Sequence, residues 1–252
     1  MTQFNGRSAF ITGGGKGIGA ATAVRFAEQG ARVAIADVDT AAGQAVAERI
    51  IAAGGEAFFV RCDVSAEADV RAAIGETVGR FGRLDIAFNN AGWEGAMGPL
   101  HTCDPADVDK LFAINLRGVF LGMKYQVTEM LKTGGGAIVN NSSIAGLKGL
   151  PAAAIYAASK HGVIGMTKCA ALDYATAGIR INAVCPGVID TPMIQRAAHS
   201  DPVAIAAYTN MQPIKRMGKP EEIASVVTWL CSDEASFVTG ATIEADGGIM
   251  AG

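Results

Sequence analysis

Short β-branched and apolar runs alternate along the chain with longer stretches whose apolar residues recur at helical spacing. Residues 8–12, 32–37, 57–63, 84–89, 137–141, 180–185 and 242–245 make up the first set and read as strands. Between them, segments at about 17–29, 40–53, 66–81, 105–132, 153–177 and 220–231 read as helices, several entered through Ser, Thr or Asp and left through Gly. Such alternation requires right-handed crossovers between parallel strands, which puts helices on both faces of one sheet. The expected fold is α/β, a doubly wound parallel sheet of about seven strands in a single domain spanning residues 1–252. In such sheets ligands bind beyond the carboxyl ends of the strands, so the chemistry is expected in the residues that follow each strand.

Composition narrows the functional classes. Half of the residues are hydrophobic and 18% are charged, enough to bury a sizeable core, and the low charge hints at surface covered by other subunits. A formal charge of -3 without any Lys/Arg run argues against nucleic acid as a partner. The five cysteines (Cys62, Cys103, Cys169, Cys185, Cys231) form no Cys-x-x-Cys pair and mostly lie in apolar runs, the pattern of reduced, buried thiols in a cytoplasmic protein. His101, His161 and His199 share no metal-ligand spacing, so no metal is expected. Neither a membrane span nor a signal-peptide pattern is present, and no membrane partner is expected.

The first strand runs into Thr12-Gly13-Gly14-Gly15-Lys16-Gly17-Ile18-Gly19 before a helix begins. Glycines there let the backbone turn sharply, approach a pyrophosphate and aim helix N–H groups at it. The spacing is not Gly-x-Gly-x-x-Gly, and no Gly-Lys-Ser/Thr makes a P-loop, so an ATPase lacks its key residues. Asp37 ends the second strand, where a carboxylate accepts hydrogen bonds from an adenosine ribose and repels a 2'-phosphate. Asp37 favours NAD over NADP, although Lys16 pulls the other way. Tyr156 and Lys160 stand one helical turn apart, so both point to one side. A phenol with a reference pKa of ~10 beside an ammonium is an acid-base device, because an opposite charge within reach lowers that pKa by roughly 1 to 3 units.

With the glycine loop, Asn89-Asn90-Ala91-Gly92, Ser143, Tyr156 with Lys160, and Pro186-Gly187 in this order, the chain resembles the short-chain dehydrogenase/reductase family over nearly its whole length. The resemblance implies a Rossmann-like fold and a role for each matching position. Tyr156 would be the general acid-base, Lys160 would lower its pKa and bind the nicotinamide ribose, and Ser143 would hydrogen-bond the substrate oxygen. Asn115 would order a water beside the lysine and complete a proton path. Gly13, Lys16, Gly17, Ile18 and Gly19 would cradle the dinucleotide and Asp37 its ribose, with Asp63 and Val64 at the adenine. Asn89 and Asn90 would fix the fourth strand and touch the adenosine side, and Val188 and Thr191 would meet the carboxamide.

Substrate choice is expected in residues 93–97 and 144–150 and in the insertion 193–217, which reads as a mobile lid with Ile194, Tyr208 and Met211 among its apolar members. Lys215, Arg216 and Lys219 form a small basic group that reads as a solvated face. Small residues at Ala154, Ala158, Gly162 and Gly165 line another side of the catalytic helix and allow a second helix to approach; the resemblance implies a homotetramer built there. The reading is an NAD-dependent dehydrogenase of a small or cyclic, mainly apolar secondary alcohol. Its alternatives are an NADPH-dependent 3-oxoacyl carrier-protein reductase, which Asp37 fits poorly, and a non-catalytic nucleotide sensor, whose usual mark, a missing Tyr or Lys, is absent.

Overall fold

All seven expected strands occur in the computed structural model, which describes residues 3–198 and 201–252. They are β1 (Ser8–Thr12), β2 (Arg32–Asp37), β3 (Glu56–Arg61), β4 (Ile86–Asn89), β5 (Gly136–Asn141), β6 (Ile179–Pro186) and β7 (Thr242–Ala245). They pair in parallel in the order β3-β2-β1-β4-β5-β6-β7. The order reverses between β1 and β4, which opens a crevice at their carboxyl ends.

Successive strand residues feed opposite cores, as the pleat demands. On β1, Phe10 enters one apolar layer, shared with Val70, Ile74, Val119 and Val163. Its neighbours Ala9 and Ile11 enter the other, shared with Phe26, Ile50, Val227 and Leu230. The first layer is covered by α3 (Glu67–Phe81), α5 (Gly118–Thr133) and α6 (Ala154–Tyr174), the second by α1 (Gly17–Glu28), α2 (Thr40–Ala52) and α9 (Pro220–Cys231). Burying strands on both faces explains why they read as continuous apolar runs.

Three expected elements differ in detail. Residues 62 and 63 fall outside β3, because β2 ends at Asp37 and offers nothing beyond Arg61 to pair with. The expected helix at 105–132 is α4 (Pro105–Phe112) followed by a π-helical turn, Ala113–Arg117, and then α5. The insertion 193–217 holds α7 (Pro192–Ala197) and α8 (Pro202–Asn210). Each starts on a cap-proline pair, Thr191-Pro192 accepting from Ile194 N–H and Asp201-Pro202 accepting from Val203 N–H. The basic group expected to be solvated finds its acid within the chain, since Arg216 pairs with Glu222 at 2.6 Å and the Lys219 N–H donates to Glu222 at 2.7 Å. Cys62, Cys185 and Cys231 are buried thiols as expected, but Cys169 is exposed on α6. No helix among the described residues is long and apolar enough to cross a membrane. His199 lies outside the described residues.

Candidate active site

A cleft of about 570 Å³ runs along the carboxyl ends of the strands and gathers most of the expected residues. Gly13, Lys16, Gly17, Ile18, Asp37, Asp63, Val64 and Asn90 line one half; Ser143, Tyr156, Lys160, Val188 and Thr191 line the other. Gly19, Asn89 and Asn115 lie outside its lining, and each has another task.

The glycine loop is shaped by close approach. Gly13 and Gly17 adopt positive φ of 61° and 53°. A Cβ on Gly13 would lie 2.8 Å from Ala91 Cα, and one on Gly19 would overlap the Gly13 carbonyl oxygen and sit 2.6 Å from Asn90 Nδ2. Asn90 ties the two strand ends together. Its N–H donates to Thr12 Oγ1 at 2.9 Å, and its Nδ2 donates to the Thr12 and Gly13 carbonyls at 3.1 and 3.0 Å. Gly19→Ala therefore has to displace this junction, and overpacking of that kind costs about 1–3 kcal/mol. We expect its melting temperature to fall by about 2–4 °C for each kcal/mol lost, with a matching loss of dinucleotide affinity, measured by thermal unfolding with and without NAD. α1 begins at Gly17 without a side-chain cap, so its first N–H groups remain for an anion. A pyrophosphate fits this cradle.

Asp37 uses its carboxylate to hold backbone, accepting from Gly15 N–H at 2.8 Å and Asp39 N–H at 2.9 Å. An ionised carboxylate has acceptor positions left over for a ribose. Lys16, whose charge could have drawn a 2'-phosphate, is taken by Asp39 at 2.6 Å. That partner was missed in the sequence, although Asp39 stands two residues beyond Asp37 at the start of α2, which it also caps through Ala42 N–H. The Lys16 ammonium holds the Asp39 carboxyl below the usual range. Asp63 accepts from Ser65 N–H and Oγ at 2.9 and 2.7 Å, which orients it at the mouth beside Val64.

Asn89 is 3% exposed and faces the α5 side of the sheet, exchanging hydrogen bonds with Gln126 and donating to Asn140. Its expected contact with the adenosine side is not available, because the pleat carries it to the same face as Ala87. Asn115, fully buried in the π-helical turn, grips the Trp93 backbone: Oδ1 accepts from its N–H and Nδ2 donates to its carbonyl, both at 2.8 Å. Its side-chain amide thus fixes a wall of the cleft.

Tyr156 and Lys160 share a face of α6, and both line the cleft. The Lys160 ammonium donates to the Asn141 carbonyl at 2.8 Å and lies 5.6 Å from the centre of the Tyr156 ring. Burial pushes the phenol up to about 12; the Ser143 hydroxyl works against this rise and the Glu94 carboxylate adds to it. Burial also brings the ammonium down to about 8. Desolvation disfavours each charged form and is the largest cause of both shifts. Ser143 starts a short 3-10 turn, its Oγ accepting from Ala145 N–H at 3.1 Å.

Beyond these groups the cleft walls are mainly apolar. Trp93, Met97, Ile144 and Leu150 come from the loops after β4 and β5, and Ile194, Tyr208 and Met211 from α7, α8 and the residue after it. Thr191 caps α7 and lies against the glycine loop, where a Cβ on Gly17 would be 3.2 Å from its Cγ2.

The family model described as enoyl-(acyl carrier protein) reductase matches residues 13–250. A solved short-chain type dehydrogenase/reductase from Mycobacterium marinum superimposes with a TM-score of 0.94 at 33% identity, covering 100% of this chain and 98% of that one. The chain belongs to the short-chain dehydrogenase/reductase family. It is an oxidoreductase of that family, which uses a nicotinamide cofactor. The crystal structure of levodione reductase, 42% identical, gives a TM-score of 0.94 over 97% of this chain and 98% of that one. The cyclohexanol dehydrogenase of Acinetobacter sp. (strain SE19) is 44% identical over 97% of this chain and 95% of its own length. The 2,5-dichloro-2,5-cyclohexadiene-1,4-diol dehydrogenase of Sphingobium indicum is 44% identical over the full length of both chains.

Proposed function

We propose that the protein is an NAD-dependent dehydrogenase of small cyclic, mainly apolar secondary alcohols, acting reversibly on the corresponding ketones. The observation that carries this reading is one cleft joining Asp37, a carboxylate without a cationic partner among the described residues, to Ser143, Tyr156 and Lys160 under apolar walls. The relatives named for ring alcohols and diols support the substrate class. The Lys16–Asp39 pair supports NAD, because a 2'-phosphate would have to break it and face two carboxylates.

Bound nicotinamide supplies the hydride acceptor for oxidation and the donor for reduction. The chain supplies the proton chemistry. Ser143 Oγ orients the substrate oxygen against Tyr156, whose hydroxyl gives a proton to that oxygen in reduction and whose phenolate takes one from it in oxidation. Lys160, fixed on the Asn141 carbonyl, brings a positive charge beside the site and offers N–H donors to a ribose. Asn115 acts as a positioning residue through Trp93. α7 and α8, with the described residues after them up to residue 217, act as a lid that excludes water from the apolar half.

Exposed apolar side chains at Phe120, Leu172 and Phe237 support a homotetramer. Ala154, Ala158 and Gly165 lie on the exposed side of α6, whereas Gly162 packs on Leu116 of its own chain and does not serve that contact. The free thiols support a cytoplasmic location.

A substrate panel tests the reading. With NAD or NADH as appropriate, kcat/KM for cyclohexanol and cyclohexanone should exceed that for a 3-oxoacyl thioester by about tenfold or more, a difference of one or two apolar-pocket contacts. Preference for the thioester with NADPH would favour the carrier-protein reductase instead.

A further inference from the structure

Glu94 places a carboxylate in a mainly apolar wall, which also holds Lys110, its Nζ 4.4 Å from the centre of the Trp93 ring. Trp93, Met97, Ile194 and Tyr208 share the lining with Glu94, and only 18% of its side chain is exposed. Its oxygens meet Arg196 of α7 at 3.3 Å (Nε) and 3.5 Å (Nη2), and they take part in no other hydrogen bond among the described residues. Charge-assisted bonds between such groups normally measure about 2.7–2.9 Å. The pair is slack and leaves acceptor positions on Glu94 and N–H groups on Arg196 unused. With the Arg196 side chain 61% exposed, it adds little to stability.

The position of Glu94 is fixed from behind. Asn115 clamps the preceding residue, Trp93, by two hydrogen bonds, and a Cβ on Gly92 would lie 3.7 Å from Lys160 Nζ. Two residues of extended chain reach at most roughly 7 Å, so the Glu94 backbone lies within that reach of Gly92 beside the lysine, while its carboxylate meets α7. Its charge is felt at the Tyr156 hydroxyl.

We infer that Glu94 and Arg196 form a second polar subsite, which reads a hydroxyl on the substrate ring remote from the carbon being oxidised. This rests on the proposed function and deepens it: the preferred substrates become ring diols and ring ketones that carry a second hydroxyl. A hydroxyl satisfies both groups at once, donating to the carboxylate and accepting from the guanidinium. A plain methylene leaves their spare acceptor and donor positions unfilled when the lid excludes water. Arg196 lies on α7, so the same contact ties recognition of that hydroxyl to the lid.

The test is the ratio of kcat/KM for a cyclohexane diol with hydroxyls on opposite carbons to that for cyclohexanol, each with NAD. Wild type should favour the diol by about 10- to 100-fold, and Glu94→Met and Arg196→Met, which remove the acceptor and the donor, should each bring the ratio close to one. If the pair only latches α7, both substrates lose activity alike and the ratio keeps its wild-type value; that result overturns the inference. A wild-type ratio near one also overturns it while leaving the proposed function standing. If wild type oxidises neither alcohol with NAD, the proposed function itself fails and the inference falls with it.

Discussion

Tyr156→Phe will lose about 10²–10⁴-fold in kcat for alcohol oxidation and ketone reduction alike while binding NAD with little change, because it removes one hydroxyl and no packing. General acid-base catalysis is worth that range, and the other groups at the reacting end, Ser143 and Lys160, orient and charge the site without replacing the proton carrier. Steady-state kinetics in both directions and a dinucleotide titration measure the effect. A pH profile sharpens it. The phenol is held near 12, so at neutral pH its deprotonated form is about one part in a hundred thousand. Oxidation needs that scarce form, and its kcat/KM should rise nearly tenfold per pH unit through the neutral range. Reduction uses the abundant neutral phenol and should change little there. The Lys160 ammonium, with its pKa brought down to about 8, stays mostly charged below that pH and loses its charge above it, which bends the oxidation profile downward from there. Tyr156→Phe should abolish the slope. Retained turnover with an unchanged profile would remove Tyr156 from the chemistry.

Asp37→Asn will shift cofactor preference toward NADP. A carboxylate about 4 Å from a 2'-phosphate costs ~1 kcal/mol in water and ~4 kcal/mol at an effective dielectric near 20. Removing the charge should therefore raise the NADP:NAD ratio of kcat/KM by roughly five- to several-hundredfold. The Asn oxygen can still accept from Gly15 N–H, which keeps the loop in place, but its amino group cannot accept from Asp39 N–H. Some loss with NAD is expected for that reason. Adding Asp39→Ala frees Lys16 from its 2.6 Å partner and should raise the ratio further. A ratio that stays at the wild-type value in the single and double variants would show that the end of β2 does not select the cofactor.

The fold was legible because each link in it is local. Parallel strands buried on both faces are apolar throughout, and caps and glycines mark most helix ends. What could not be read depends on neighbours far along the chain. Nothing in the apolar spacing of 105–132 announces the π-helical turn; the buried Asn115 was its one trace, and its partner Trp93 stands twenty-two residues earlier. The orientation of Asn89 was open to a closer reading, since alternation along β4 sends it with Ala87 toward α5. The Thr191-Pro192 and Asp201-Pro202 pairs likewise signalled helices inside the insertion. At the site, spacing put Tyr156 and Lys160 on one face correctly. The direction of their pKa shifts was beyond it, because desolvation is set by the whole cleft and not by the helix that carries both residues.

All of these expectations converge on a single reaction. Wild-type protein mixed with NAD and cyclohexanol, with NADH followed by absorbance and cyclohexanone by chromatography, should yield the two products in equal amounts. Formation of neither, or NADPH formation from NADP at a higher kcat/KM, would contradict the account at its centre.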